Sequence, residues 1–178
     1  FRPVNRLDRG TSGLMAAAKH AHAQYRLSSL LHTDSFVREY LAVVEGELQP
    51  PEGRLDAPIR KAPGATVRRE VHPDGAPCAT RYETLRVQNG RSLIRVRLET
   101  GRTHQIRVHM ASRGHPLLGD PVYGPKKPPR DVPGGQLLHA FRIGFTHPGT
   151  GERVVVEAPP EPRFEKWLDR LRKESKCP

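Results

Sequence analysis

The feature that most constrains the fold is a pair of alternating stretches around Asn89-Gly90. Thr80 to Val87 and Ser92 to Glu99 are strand-like, and Asn-Gly is a favoured pair for a two-residue hairpin turn. In the second stretch Ile94, Val96 and Leu98 alternate with Arg95, Arg97 and Glu99. Successive side chains of a strand point to opposite faces, so one face is buried and the other charged.

Further elements assemble around this hairpin. Phe36 to Leu48 reads as a strand, rich in β-formers, and its alternation puts Tyr40 on the side of Arg38 and Ala42. Gly13 to Ala18 is a short apolar run expected as a buried strand, with helix as the rival reading. From His20 to His32 the pattern turns helical, with Ala23, Leu27, Leu30 and Leu31 on one face. Residues 53 to 77 are punctuated by Pro and Gly and leave room only for short strands. Leu137 to Thr146 and Arg153 to Ala158 predict another hairpin. Glu161 to Ser175 predicts an amphipathic helix with Phe164, Trp167, Leu168 and Leu171 inward. The sum is an α+β domain, a mixed and mainly antiparallel sheet with packed helices.

At 178 residues the chain is expected to form one domain, residues 1–178, with room for a core. It opens on Phe1 rather than Met, so an upstream segment is expected to be missing. No apolar run approaches a membrane span. Thirty Lys and Arg against nineteen Asp and Glu give a net charge of +11, a balance suited to a polyanion such as nucleic acid. Charge kept only for solubility is the alternative. Cys78 and Cys177 lie far apart and match no metal spacing, and the nine histidines show none either. A reduced, cytoplasmic monomer is expected.

Two stretches carry chemistry. In Asn5-Arg6-Leu7-Asp8-Arg9-Gly10-Thr11-Ser12-Gly13-Leu14, the Gly, Thr and Ser residues mark a tight turn presenting Asp8. Flanking positive charge from Arg6 and Arg9 favours the carboxylate, which can act as nucleophile, base or ligand. A turn aspartate serving its own backbone is the local alternative. In Gly101-Arg102-Thr103-His104-Gln105-Ile106-Arg107-Val108-His109 a helix is expected to start near Thr103 and to stop at Gly114. Its spacing sets His104, Arg107 and Ala111 on a polar stripe beside the positive helix end, where phosphate binds readily. Residues 119 to 136 form a Pro- and Gly-dense loop bearing Lys126, Lys127 and Arg130, either an arm on RNA backbone or a solvated connection.

Together these stretches resemble the RluA family of RNA pseudouridine synthases. That family carries an Arg-Leu-Asp-x-x-Thr-Ser-Gly-Leu motif and a later Gly-Arg-Thr-His-Gln-Ile-Arg-x-His motif. Arg38-Glu39-Tyr40-Leu41-Ala42-Val43-Val44-Glu45-Gly46 is similar to its tyrosine-bearing strand. Gly114-His115-Pro116-Leu117-Leu118-Gly119-Asp120-Pro121-Val122-Tyr123-Gly124 is a fourth match, and the resemblance spans residues 2 to about 158. Four motifs in order are far more specific than one. One departure is Asn5, where the family usually has His; Asn keeps hydrogen-bonding capacity but carries no charge. Many family members have an S4-like RNA-binding domain upstream.

The resemblance implies isomerisation of uridine to pseudouridine within RNA, with no cofactor and no metal. It makes Asp8 the catalytic carboxylate, with attack on base or on sugar both open. Tyr40 would stack on the target base, and Arg107 would pair with Asp8. Arg6 would hold the place of the flipped-out nucleotide, and Leu117 or Leu118 would floor the base pocket. Arg9, Arg102, His104, Gln105, Lys126 and Lys127 complete the expected RNA-binding set. Extruding a base costs a few kcal/mol, of which an aromatic face recovers roughly 1–3 kcal/mol. Large-subunit ribosomal RNA is the expected substrate and transfer RNA the alternative. A non-catalytic RNA binder on this fold could lose Asp8, Tyr40 or Arg107, and all three are present. A glycosidase-like use of Asp8 lacks a second carboxylate motif.

Overall fold

A computed structural model describes residues 1–127 and 135–173, with side chains described to residue 169. Its elements run β1 (Arg2–Pro3), β2 (Ser12–Gly13), β3 (Ala17–Ala18), α1 (Ala21–Leu30), β4 (Phe36–Glu45), β5 (Glu52–Asp56), β6 (Ile59–Lys61), β7 (Arg69–Val71), β8 (Ala79–Gln88), β9 (Arg91–Leu98), α2 (Gln105–Ser112), β10 (Leu138–Thr146), β11 (Arg153–Glu157) and α3 (Pro162–Lys173). The main sheet has the order β11-β10-β4-β9-β8-β5, antiparallel throughout, and β2 joins β10 in parallel. Two small ribbons, β1-β3 and β6-β7, stand apart. The mixed, mainly antiparallel α+β architecture read from the sequence is the one observed.

The β8–β9 hairpin closes on Asn89 and Gly90, at φ 51° and 67°, and a two-residue turn of this kind needs positive φ at both positions. β4 lies beside β9 with Tyr40 opposite Val96 and Ala42 opposite Ile94. Phe36, Arg38, Tyr40 and Ala42 are buried on one face of β4, as the alternation requires. That face packs with Ile94, Val96, and Ile106 and Met110 of α2. The opposite face, through Val43, meets Phe164 and Trp167 of α3. The sheet is thus covered by α2 on one side and, around Val43, by α3 on the other. Each large apolar side chain fully buried there contributes ~1.5–3 kcal/mol.

Three expectations change. The run from Gly13 to Ala18 is not a buried strand: it holds two short strands of half-buried and exposed residues, with Leu14, Ala16 and Ala18 packed beside α1. The second helix starts at Gln105, because His104 takes a left-handed conformation at φ 58°. Its polar residues form no surface stripe either. Gln105, Arg107 and His109 are all buried, since α2 lies between the sheet and the β6–β7 ribbon, where Val108 meets Ile59 and Cys78. Leu171, Arg130 and Cys177 lie outside the residues whose side chains are described.

Candidate active site

The site begins with a loop that the fold holds from behind. The Thr11 N–H closes a turn on the Asp8 carbonyl at 2.9 Å. The Gln136 amide nitrogen donates to the Arg9 carbonyl at 2.9 Å and to Thr11 Oγ1 at 3.0 Å. Ser12 Oγ meets His139 Nδ1 at 2.9 Å, and His139 Nε2 meets the Ala158 carbonyl at 3.2 Å. Arg163 of α3 donates to the Gly10 carbonyl at 3.1 Å. Gly13 must be glycine: at φ 104° an added Cβ would stand 2.2 Å from the Ala140 carbonyl oxygen. The Thr-Ser-Gly run therefore fastens the loop to β10, leaving the Asp8 side chain 24% exposed on the other side.

Arg107 of α2 reaches Asp8 with Nη1 at 3.6 Å. Its main partner is Asp120, to which Nε and Nη2 donate at 2.7 and 2.8 Å. The Asp120 side chain is fully buried, and its Oδ1 also accepts from the N–H groups of Val122 and Tyr123. Burial works to raise the Asp120 carboxyl. The hydrogen bonds from Arg107, the two backbone donors and the Arg107 charge outweigh it and hold the group below the usual carboxylate range. Burial likewise works against the Arg107 charge, and Asp120 outweighs it, so the guanidinium is held above its ordinary value. The carboxylate that Arg107 holds bidentately is thus Asp120, and its expected partner Asp8 takes the longer contact. The guanidinium is a fixed plane that presents one remaining corner to Asp8.

Asp8, Tyr40, Arg6 and Arg102 line one cavity of about 320 Å³, near the small end of small-ligand sites, roughly 300–1,000 Å³. Its apolar wall is Leu7, Leu98, Ile106 and Leu138. Tyr40 is 5% exposed. Burial pushes its hydroxyl up to about 12, with Arg38 opposing and the Asp8 charge adding. At neutral pH it therefore keeps its proton and can give one up only to a strong base.

The remaining expected residues separate. Arg6, Arg9 and Arg102 are exposed at or beside the cavity mouth, and Lys126 and Lys127 are exposed on the following loop. His104 points elsewhere: its Nδ1 meets the Tyr123 hydroxyl at 2.9 Å, which also accepts from the Arg69 N–H. Burial, then the Arg107 charge, hold His104 below its ordinary value. Gln105 lines the cavity but spends its side chain on the protein. Its oxygen accepts from Thr100 Oγ1 and the Arg102 N–H, and its nitrogen donates to the Ala79 carbonyl and Thr80 Oγ1, which uses all four of its bonding positions. Leu118 is no pocket floor. It packs with Val43, Leu137, Phe164 and Trp167 under α3, and Leu117 packs in the core with Tyr40; neither lines the cavity. Sequence reasoning missed Asp120, Gln136, His139 and Arg163. Asp120 stood inside a quoted motif, and its signal was a lone acid among apolar and turn residues.

An open carboxylate and a protonated phenol on a cavity of about 320 Å³, a braced guanidinium behind the carboxylate and a cationic rim are the parts of an acid–base or nucleophilic site for a polyanion. The model of the family described as RNA pseudouridylate synthase matches residues 1–112. A Bacillus subtilis (strain 168) protein named Uncharacterized RNA pseudouridine synthase YjbO is 44% identical over 156 residues, covering 88% of this chain and 54% of its own length. Ribosomal large subunit pseudouridine synthase D of Escherichia coli (strain K12) is 41% identical over 167 residues, covering 88% of this chain and 51% of its own. The structure titled Human RNA Pseudouridylate Synthase Domain Containing 1 superposes with a TM-score of 0.77 at 26% identity, covering 100% of this chain and 81% of that one. The chain belongs to the RNA pseudouridylate synthase family. It spans about half the length of the curated relatives it matches.

Proposed function

We propose that this chain is the catalytic core of a pseudouridine synthase that isomerises uridine in RNA, with large-subunit ribosomal RNA as its substrate. The observation that carries the reading is Asp8, presented open to the cavity while Arg107, fixed by buried Asp120, stands 3.6 Å away. In this reaction the bond from N1 to C1′ breaks and a bond from C5 to C1′ forms. The proton lost from C5 is matched by one gained at N1. Asp8 acts as the catalytic carboxylate, Arg107 holds its charge and direction, and Tyr40 supplies a face for the extruded base. The ribosomal target is supported by relatives that bear that name. Arg6, Arg9 and Arg102 hold the strand at the mouth.

Asp8→Asn is nearly isosteric and tests the reading. The variant is expected to fold, to bind RNA and to form no pseudouridine. Substantial turnover in a single-turnover assay would remove Asp8 from its role. Mapping pseudouridines by chemical labelling, in cellular RNA with and without the gene, identifies the substrate. A missing signal in transfer RNA instead of ribosomal RNA would overturn the ribosomal part.

A further inference from the structure

The same cavity is also lined by Val4, Asn5, Leu31, His32, Arg38 and Gly101, and two of these side chains hold hydrogen-bond donors that find no partner among the described residues. Arg38 is 5% exposed. Its Nη2 donates to the carbonyls of Leu31 and Thr100 at 2.9 and 3.3 Å. Its Nε is buried without a partner, and Nη1 donates to no group among the described residues. No carboxylate pairs with it among the described residues. Gly101 leaves the space beside Nη1 open, since a Cβ there would stand 2.8 Å from it. Asn5 is 7% exposed. Its Oδ1 accepts from the Ala16 N–H at 2.8 Å, which fixes the amide's orientation, and Nδ2 is buried without a partner.

A buried guanidinium with no counter-charge and an orphaned amide donor, both lining one cavity, are costly in a free protein. Both costs are removed by one ligand, an anionic oxygen offering several lone pairs. The geometry points to a phosphate subsite in this cavity, in which Arg38 and Asn5 bind a phosphate flanking the uridine at Asp8. It rests on the reading of the chain as an RNA-modifying enzyme. It adds residues outside the rim cations and separates the group that holds the nucleotide's phosphate from the group that reacts with it. Neutral Asn5 suits the second position, where a donor is needed beside a charge already present.

The test is a titration of the wild-type chain with uridine, 5′-uridine monophosphate, 3′-uridine monophosphate and inorganic phosphate, followed by NMR of the arginine Nε–H and asparagine side-chain signals. One of the two nucleotides is expected to shift the Arg38 and Asn5 signals and to half-saturate at about ten-fold lower concentration than uridine, the gain of a charge-assisted contact. Which nucleotide does so distinguishes a 5′ from a 3′ phosphate. Arg38→Gln and Asn5→Leu are each expected to abolish the difference while uridine binding persists. Equal half-saturation by uridine and both nucleotides, or unmoved Arg38 and Asn5 signals at the highest concentrations, overturns the subsite. A chain that forms pseudouridine yet titrates so fails here alone. A chain that forms none, but keeps the nucleotide preference, loses the parent reading and supports the subsite.

Discussion

Arg107 is held at two corners by Asp120 and touches Asp8 with the third, and this inequality sets what each substitution should do. Arg107 and Asp120 form a buried pair, with side chains 4% and 0% exposed. Losing one partner of such a pair typically costs ~3–5 kcal/mol, because the other is left charged and buried. Arg107→Ala and Asp120→Ala are each expected to destabilise by that order in urea unfolding, and the double variant by clearly less than their sum. Asp8→Ala removes a group that is 24% exposed and 3.6 Å from its partner, so it should leave stability near wild type while stopping turnover. Additive losses for Arg107 and Asp120 would break the pair as described. The sign of the acid response follows. The Asp120 carboxyl is held below its unfolded value, so the unfolded chain binds the proton first as pH falls. Its contribution is complete above about pH 4 and is lost as pH falls through the folded value. Asp120→Asn should flatten that part of a stability–pH curve.

At the scale of elements, what was legible in the sequence is what is local. The β8–β9 hairpin follows from Asn89-Gly90 and its alternation, and the buried face of β4 follows from Phe36, Arg38, Tyr40 and Ala42. Asp8, Tyr40 and Arg107 were named from motifs and do gather within one site. The partners of those residues were not legible, because they arrive from distant elements whose docking no local pattern encodes: Asp120 after α2, Gln136 and His139 at β10, Arg163 on α3. The buried surround of α2 was missed for the same reason, since Gln105 and His109 read as polar until β8 and the β5–β6 connection supply their partners. His109 Nε2 meets the Ala57 carbonyl and Nδ1 meets Thr80 Oγ1. Burial holds it below its ordinary value, against the Ala57 bond. A histidine whose folded value is depressed is protonated first in the unfolded chain, so stability should fall from about pH 6.5 downward until the folded value is passed. His109→Gln should reduce the slope over that window, with the remainder due to His104, which shifts the same way. A slope unchanged in His109→Gln would place the proton uptake elsewhere. Just before β10, Gln136→Ala removes two hydrogen bonds to the Asp8 loop. It is expected to slow single-turnover isomerisation about ten-fold or more with RNA affinity unchanged; a weaker affinity at full rate would deny the loop-holding role.

Over the whole molecule, the net charge of +11 is not spread evenly in its effect. The arginines on the solvent face of the sheet are paired: Arg54 and Arg81 with Glu99, Arg95 with Glu83, Arg97 with Asp34. Exposed pairs of this kind add little stability, but they cancel charge. Arg6, Arg9, Lys126 and Lys127 are exposed and form no ion pair among the described residues, so their charge is left to act on a polyanion. RNA affinity should therefore fall steeply with salt. Lys126→Ala with Lys127→Ala should flatten the log–log slope by roughly 1–2, the release of about one counterion per lost contact. An unchanged slope would remove this loop from the RNA backbone. The bracing of the Asp8 loop has a consequence in time. Ser12 and His139 are 127 positions apart, and Gly10 and Arg163 are 153 apart. A ribosome adds roughly 5–20 residues each second, so the loop emerges on the order of ten seconds before the strand and helix that fasten it. Throughout that interval the nascent chain carries the Asp8 carboxylate unaimed, and the chemistry proposed for it waits on the last elements to be made.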